Sequence, residues 1–160
     1  AGMAVLAVAG DGPMLPRLRQ RCPTGVRLLG SLPHEDTLRL MAAADLFCLP
    51  TRYAEGFPTT LLEAAGCGCA ILCTDTAGAA ELLPNEEYGL RLPSAAPGVL
   101  APALQKALTE DAWRGAAAQK AKTRLCERFT WDAVAASLLK IAGAACPQPG
   151  TQNAPQEDAG

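Results

Sequence analysis

Short apolar runs alternate with stretches of helical periodicity along most of the chain. Val5 to Ala9 is a continuous apolar run suited to a buried strand, and Gly10-Asp11-Gly12 supplies a turn after it. Pro13 suits a first helical position, so a helix is expected to about Arg21. Val26 to Gly30 reads as a second strand. Pro33 to Ala44 reads as a helix with Glu35 and Arg39 at i,i+4 spacing. Leu46 to Leu49 is a third strand ending at Pro50, and the loop Thr51 to Phe57 leads into a helix opened by Pro58 and running through Ala65. A fourth strand over Ala70 to Cys73, a short helix over Ala79 to Leu83 and a weak fifth strand over Tyr88 to Leu92 follow. Beyond them the pattern is helical only. Leu100, Ala103, Leu104, Ala107 and Leu108 share one face, and Asp111 to Arg128 makes a further helix. Thr130 is placed to cap a last helix, whose inner face is expected to hold Trp131, Val134, Ala135 and Leu138.

Strands that alternate with helices predict an α/β fold, a Rossmann-like parallel sheet with helices on both faces and a helical C-terminal end. The strands are nearly continuous apolar runs, as burial on both faces requires. Ligands of such sheets sit beyond the carboxyl ends of the strands, here the loops after Ala9, Gly30, Leu49 and Cys73. Residues 1–146 are expected to form one domain. Residues 147–160 hold three prolines, two glycines and no large apolar residue, so a disordered tail is expected. The chain opens on Ala1 and reaches its first strand at once, which suggests a piece of a longer protein.

Composition narrows the function classes. Of the 160 residues 49% are apolar and 19% charged, an ordinary globular balance, and the net charge is −2. A nucleic-acid partner would want a basic stripe, so none is expected. No uncharged apolar run reaches the length of a membrane helix. Seven cysteines, an odd number with Cys48, Cys67, Cys69 and Cys73 in apolar segments, read as reduced, buried thiols of a cytoplasmic protein. The spacings around Cys67, Cys69 and Cys73 are not those of a zinc site, and His34 is the sole histidine. His34 itself is expected at the surface, and Trp113 and Trp131 are expected as core anchors.

The unusual residues cluster in Thr51 to Glu63. This segment leaves a strand, turns at Gly56 and enters a helix at Pro58. The open amides of a first helical turn attract anions, and Thr59, Thr60 and Leu61 keep their N–H groups, so phosphate is the natural guest. Glu63 lies among Leu61, Leu62, Ala64 and Ala65 and needs a hydrogen-bond partner. A ribose diol fits that need, as does a backbone group or an arginine. Glu55 precedes the turn and either faces the same ligand or is a solvated loop residue. A dinucleotide site at Gly10-Asp11-Gly12 is disfavoured because position 15 is Leu rather than the third glycine.

Glu55 and Glu63, seven residues apart in Glu-Gly-Phe-Pro-Thr-Thr-Leu-Leu-Glu, resemble the paired-glutamate signature of retaining glycosyltransferases of the group 1, or family 4, type. Further blocks in the same order carry the resemblance from about Val5 to Ile141: Ala9 to Pro13, Leu29 to Pro33, Ala43 to Pro50, Thr74 to Leu82 and Phe129 to Trp131. The resemblance implies the C-terminal, donor-binding domain of a two-domain GT-B enzyme, with the N-terminal acceptor domain outside this chain. It implies a UDP- or GDP-sugar donor, no metal or other cofactor, and hexose transfer with retention. By the same resemblance Glu55 acts at the reacting centre and Glu63 binds the ribose. Gly56, Phe57, Pro58 and Thr59 face sugar and phosphate through their backbone, and Leu32 contacts the base. The family's diphosphate-gripping Arg and Lys would fall before Ala1, so weak binding and no turnover are expected of this chain alone. The alternative is a non-catalytic nucleotide-binding module.

Overall fold

A computed structural model describes residues 4–53 and 56–145. Glu55 and the 147–160 segment lie outside the described residues. The order of elements is β1 (Leu6–Ala9), α1 (Leu15–Gln20), β2 (Val26–Gly30), α2 (His34–Ala43), β3 (Leu46–Leu49), α3 (Thr59–Cys67), β4 (Ala70–Thr74), α4 (Ala79–Leu82), β5 (Leu90–Leu92), α5 (Pro97–Thr109), α6 (Asp111–Arg128) and α7 (Trp131–Ala145). This is the Rossmann-like α/β alternation expected, followed by three helices.

The sheet is in two parallel pieces. β1 pairs with β2, and β3, β4 and β5 follow in that order. β4 is buried along all five residues, because helices cover both of its faces. One core packs Leu61, Ala64 and Ala65 of α3 on Ile71 and Cys73 of β4, with Ala121 of α6 and Met41 of α2. The other packs Leu72, Leu90 and Leu92 against Ala107 of α5. α2 is tied to the three-stranded piece: thiols around the start of β4 donate to its carbonyls, Cys67 Sγ to Leu38 O and Cys69 Sγ to Met41 O. Glu35 and Arg39 pair on α2 at 3.2 Å, as their spacing predicts, and Asp36 joins them at 2.8 Å.

Three expectations need correction. β1 is exposed along its length, with Leu6 53% and Val8 37% accessible, because its second edge and both faces lack cover. Trp131 is 89% exposed and anchors no core. The apolar stripe of α7 is likewise open, with Val134, Leu138, Leu139 and Ile141 all exposed, because no described element packs over it. Periodicity marks a face that favours burial, and no element among the described residues supplies the burying surface. Trp113 does pack on the second core and donates its indole N–H to Glu86 O at 2.8 Å.

Candidate functional site

The loop between β3 and α3 is held from below. Phe57 packs on the first core and its ring lies 5.4 Å from that of Phe129, at the α6–α7 junction. Pro58 is buried and N-caps α3 without a side-chain capping bond. Thr74, buried at the end of β4, donates its hydroxyl to Thr51 O at 2.9 Å, which fixes the start of the loop. Gly78 donates its N–H to Gly56 O at 2.9 Å. That approach needs glycine: a Cβ at position 78 would stand 2.7 Å from Phe57 Cα. The loop after β4 is thereby clamped onto the Gly56–Phe57 turn.

α3 then opens toward solvent. Leu61 N–H closes a tight turn onto Pro58 O, while the amides of Thr59 and Thr60 donate to no described residue. Thr59 is exposed and Thr60 half-buried. Leu61, Ala64 and Ala65 point into the core, so Thr59, Glu63 and Gly66 fall on the outer side. Glu63 is half-buried and makes no hydrogen bond or ion pair with a described residue. Gly68, at φ 81°, ends the helix in the left-handed conformation and its N–H reaches back to Ala64 O and Ala65 O. The helix therefore presents two N-terminal amides without an acceptor among the described residues, and one carboxylate on its outer side.

Leu32 is half-buried in the separate loop between β2 and α2, and His34 is exposed beside it. Gly56, Phe57, Pro58, Thr59 and Glu63 thus share one loop and helix, whereas Leu32 comes from another strand end. A cavity of about 510 Å³ lies at the carboxyl ends of β3, β4 and β5, lined by Thr51, Arg52, Tyr53, Thr74, Asp75 and residues 93–97. The motif residues Gly56 to Thr59 do not line it. Asp75 is held there by an ion pair with Arg91, whose guanidinium also donates to Leu83 O and Pro84 O. Asp75 carried no chemical signal of its own in the sequence, only its place after a strand. Thr76, in the loop that follows, has a buried hydroxyl with no hydrogen-bond partner among the described residues. Cys67, Cys69 and Cys73 form no metal-ligand cluster there.

Residues 2–110 match the family described as Glycosyl transferases group 1. The chain belongs to that family. This group 1 glycosyltransferase chain is 40% identical over 84 residues to the phosphatidylinositol N-acetylglucosaminyltransferase GPI3 subunit of Saccharomyces cerevisiae, covering 49% of this chain and 18% of that protein. It is 30% identical over 128 residues to the D-inositol 3-phosphate glycosyltransferase of Salinispora arenicola, covering 80% of this chain and 28% of that one. Anabaena HepE, solved with UDP, shares the fold at a TM-score of 0.76 and 20% identity over 88% of this chain and 41% of its own. The chain thus spans less than half of each of these three proteins. Its fold is that of the C-terminal domain of GT-B glycosyltransferases. No helix among the described residues is long and apolar enough to cross a membrane.

Proposed function

We propose that this glycosyltransferase domain is the donor-binding half of an enzyme that moves a hexose from a nucleotide-sugar to an acceptor hydroxyl with retention. The observation that carries the reading is the outer side of α3: open amides at Thr59 and Thr60, and Glu63 unengaged a turn further on. Amides fixed at a helix N-terminus stabilise charge gathering on a departing diphosphate without reorganising. Glu63 accepts two hydroxyls of the ribose, and Leu32 contacts the base through its backbone. Backbone groups of Gly56, Phe57, Pro58 and Thr59 face the sugar and phosphates. Glu55 stands by the transferred sugar and supports its cationic centre. The likeness to relatives whose names include glycosyltransferases of inositol substrates supports the reaction class. The acceptor pocket belongs to a partner domain outside residues 1–160. The reaction is metal-independent, and residues 1–146 act as one cytoplasmic domain.

Calorimetric titration with UDP and GDP, in buffer containing a chelator, tests the reading. Weak saturable binding by the 160-residue chain is expected, without sugar transfer. Glu63→Gln should weaken binding about tenfold to a hundredfold, the worth of hydrogen bonds to a charged group, with unchanged thermal unfolding. Binding that ignores this substitution would overturn the assignment of Glu63. In the longer enzyme, Glu55→Ala should abolish turnover and leave nucleotide binding largely intact. A non-catalytic module would show no turnover to lose.

A further inference from the structure

The cavity of about 510 Å³ at the carboxyl ends of β3, β4 and β5 opens beside the loop that leads into α3, yet no residue of α3 lines it. Its volume falls within the roughly 300–1,000 Å³ of small-molecule sites, and loops that follow parallel strands are where such sites form. Its walls are held firmly. Thr74 anchors the loop after β3 through Thr51 O, and Tyr53 N–H donates to Thr51 Oγ1 at 3.2 Å. Tyr53 therefore stands at the cavity with 82% of its surface exposed. It packs on neither core, whereas Tyr88 packs on the first core with Arg124 over its ring. Asp75 is fixed from two sides. Its N–H donates to Leu92 O at 2.7 Å, and one carboxylate oxygen takes the Nη1 of Arg91, which also donates to Leu83 O and Pro84 O. The other oxygen accepts from no described residue, and the side chain is 53% exposed. Ser94 Oγ accepts the Ala96 N–H at 3.4 Å, and its own proton has no acceptor among the described residues. Ala95 and Pro97 add small apolar surface.

These groups ask for a particular guest. An exposed tyrosine ring offers an apolar face that gains nothing until something covers it. A carboxylate already locked by an arginine is a strong acceptor whose ordering costs are met before any ligand arrives. Arg52 and Asp75 carry opposite charges on one wall, so the cavity favours a neutral guest over a phosphate. A purely apolar guest would leave the second oxygen of Asp75 covered and without a donor. A ring with C–H groups on its faces and hydroxyls around its rim meets both demands, and that is a pyranose. We propose that this cavity is a saccharide subsite of the domain, separate from the outer side of α3, in which Tyr53 covers one face of a sugar ring while Asp75 and Ser94 bond its hydroxyls. The subsite does not depend on the assignment of Glu63.

The test follows backbone amides of the whole chain by NMR during titration with maltose, cellobiose, mannobiose and N,N′-diacetylchitobiose, and separately with UDP and GDP. At least one disaccharide is expected to shift the amides of Asp75, Ser94 and Ala95 saturably, with a Kd in the millimolar range. Tyr53→Ala, at an exposed position, should weaken that binding about tenfold and leave Tm unchanged. Asp75→Asn should weaken it as well, through loss of the charged acceptor. UDP and GDP should leave these amides in place and fail to displace the disaccharide, and Glu63→Gln should leave the saccharide titration unaltered. Nucleotide binding that is absent while the saccharide shifts persist would count against the α3 assignment and not against the cavity. No shift with any of the four sugars, shifts that survive Tyr53→Ala at full strength, or displacement of the disaccharide by UDP or GDP would each overturn the subsite.

Discussion

Cys69, just before β4, and Cys73, within it, are buried among apolar neighbours, and this decides their chemistry. Lost hydration pushes the Cys69 thiol up to about 11, with Cys67 and Asp45 adding to the effect. Burial pushes Cys73 up to about 12 against the opposing pull of Arg91. Both are therefore protonated and unreactive at neutral pH. In the unfolded chain each thiol ionises near 9.0. Above that pH the unfolded state binds fewer protons than the folded one, so stability falls as pH rises through the window from 9.0 toward 12. Urea unfolding at stepped pH should show this decline, and Cys73→Ala should flatten it. An unchanged slope would mean that Cys73 is not held protonated. In the native protein at pH 8, iodoacetamide should reach the exposed Cys22 and Cys126 and spare Cys69 and Cys73. The apolar segments around the cysteines made burial at positions 69 and 73 legible beforehand. The same reading expected Cys48 and Cys67 to be buried as well, and they are only half-buried.

At the scale of elements, two glycines close to the site should answer alanine in opposite directions. Gly66 lies in the interior of α3, and a Cβ there would meet Leu125 Cδ2 at 3.5 Å, an ordinary contact. Gly66→Ala should stabilise the protein by about 0.5–1 kcal/mol by relieving the backbone entropy that glycine loses in a helix. Gly78→Ala drives a Cβ to 2.7 Å from a backbone atom of Phe57, which cannot rotate away. The loop after β4 must retreat, the bond to Gly56 O breaks, and about 1–3 kcal/mol is lost. Urea midpoints of the two variants check both signs, and a neutral Gly78→Ala would show that the clamp is loose. The sequence revealed most of these elements, because run length and flanking turn residues carried the information. Val26 to Gly30, Leu46 to Leu49 and Asp111 to Arg128 stand where the pattern placed them. The Gly78 clamp was not legible, since only the meeting of two loops shows that this glycine is indispensable. The placement of Thr59 and Glu63 on the outer side of α3 follows from helical spacing alone. The joining of Thr51 to Thr74 required the register of β3 against β4.

Across the whole molecule, burial is uneven in a way that single-sequence periodicity does not disclose. The middle of the chain builds two closed cores on β4, whereas β1 and α7 expose apolar residues on the flanks. A 3.6-residue apolar stripe states that a face is made to be covered and is silent on whether the cover lies within the same 160 residues. Stability should follow this division. Leu61 is fully buried in α3, and Leu61→Ala should cost about 2–5 kcal/mol through lost transfer energy and a cavity. Trp131 is a larger side chain, but at 89% exposure it has little burial to lose, so Trp131→Ala should cost no more than about 0.5 kcal/mol. Acrylamide should quench Trp131 freely in a Trp113→Phe background. In a Trp131→Phe background it should reach Trp113 poorly, because that indole is packed on the second core and bonded to Glu86 O. If Trp131→Ala proved as damaging as Leu61→Ala, α7 would have to fold back onto the domain in solution, and the exposed stripe would not be a property of the chain alone.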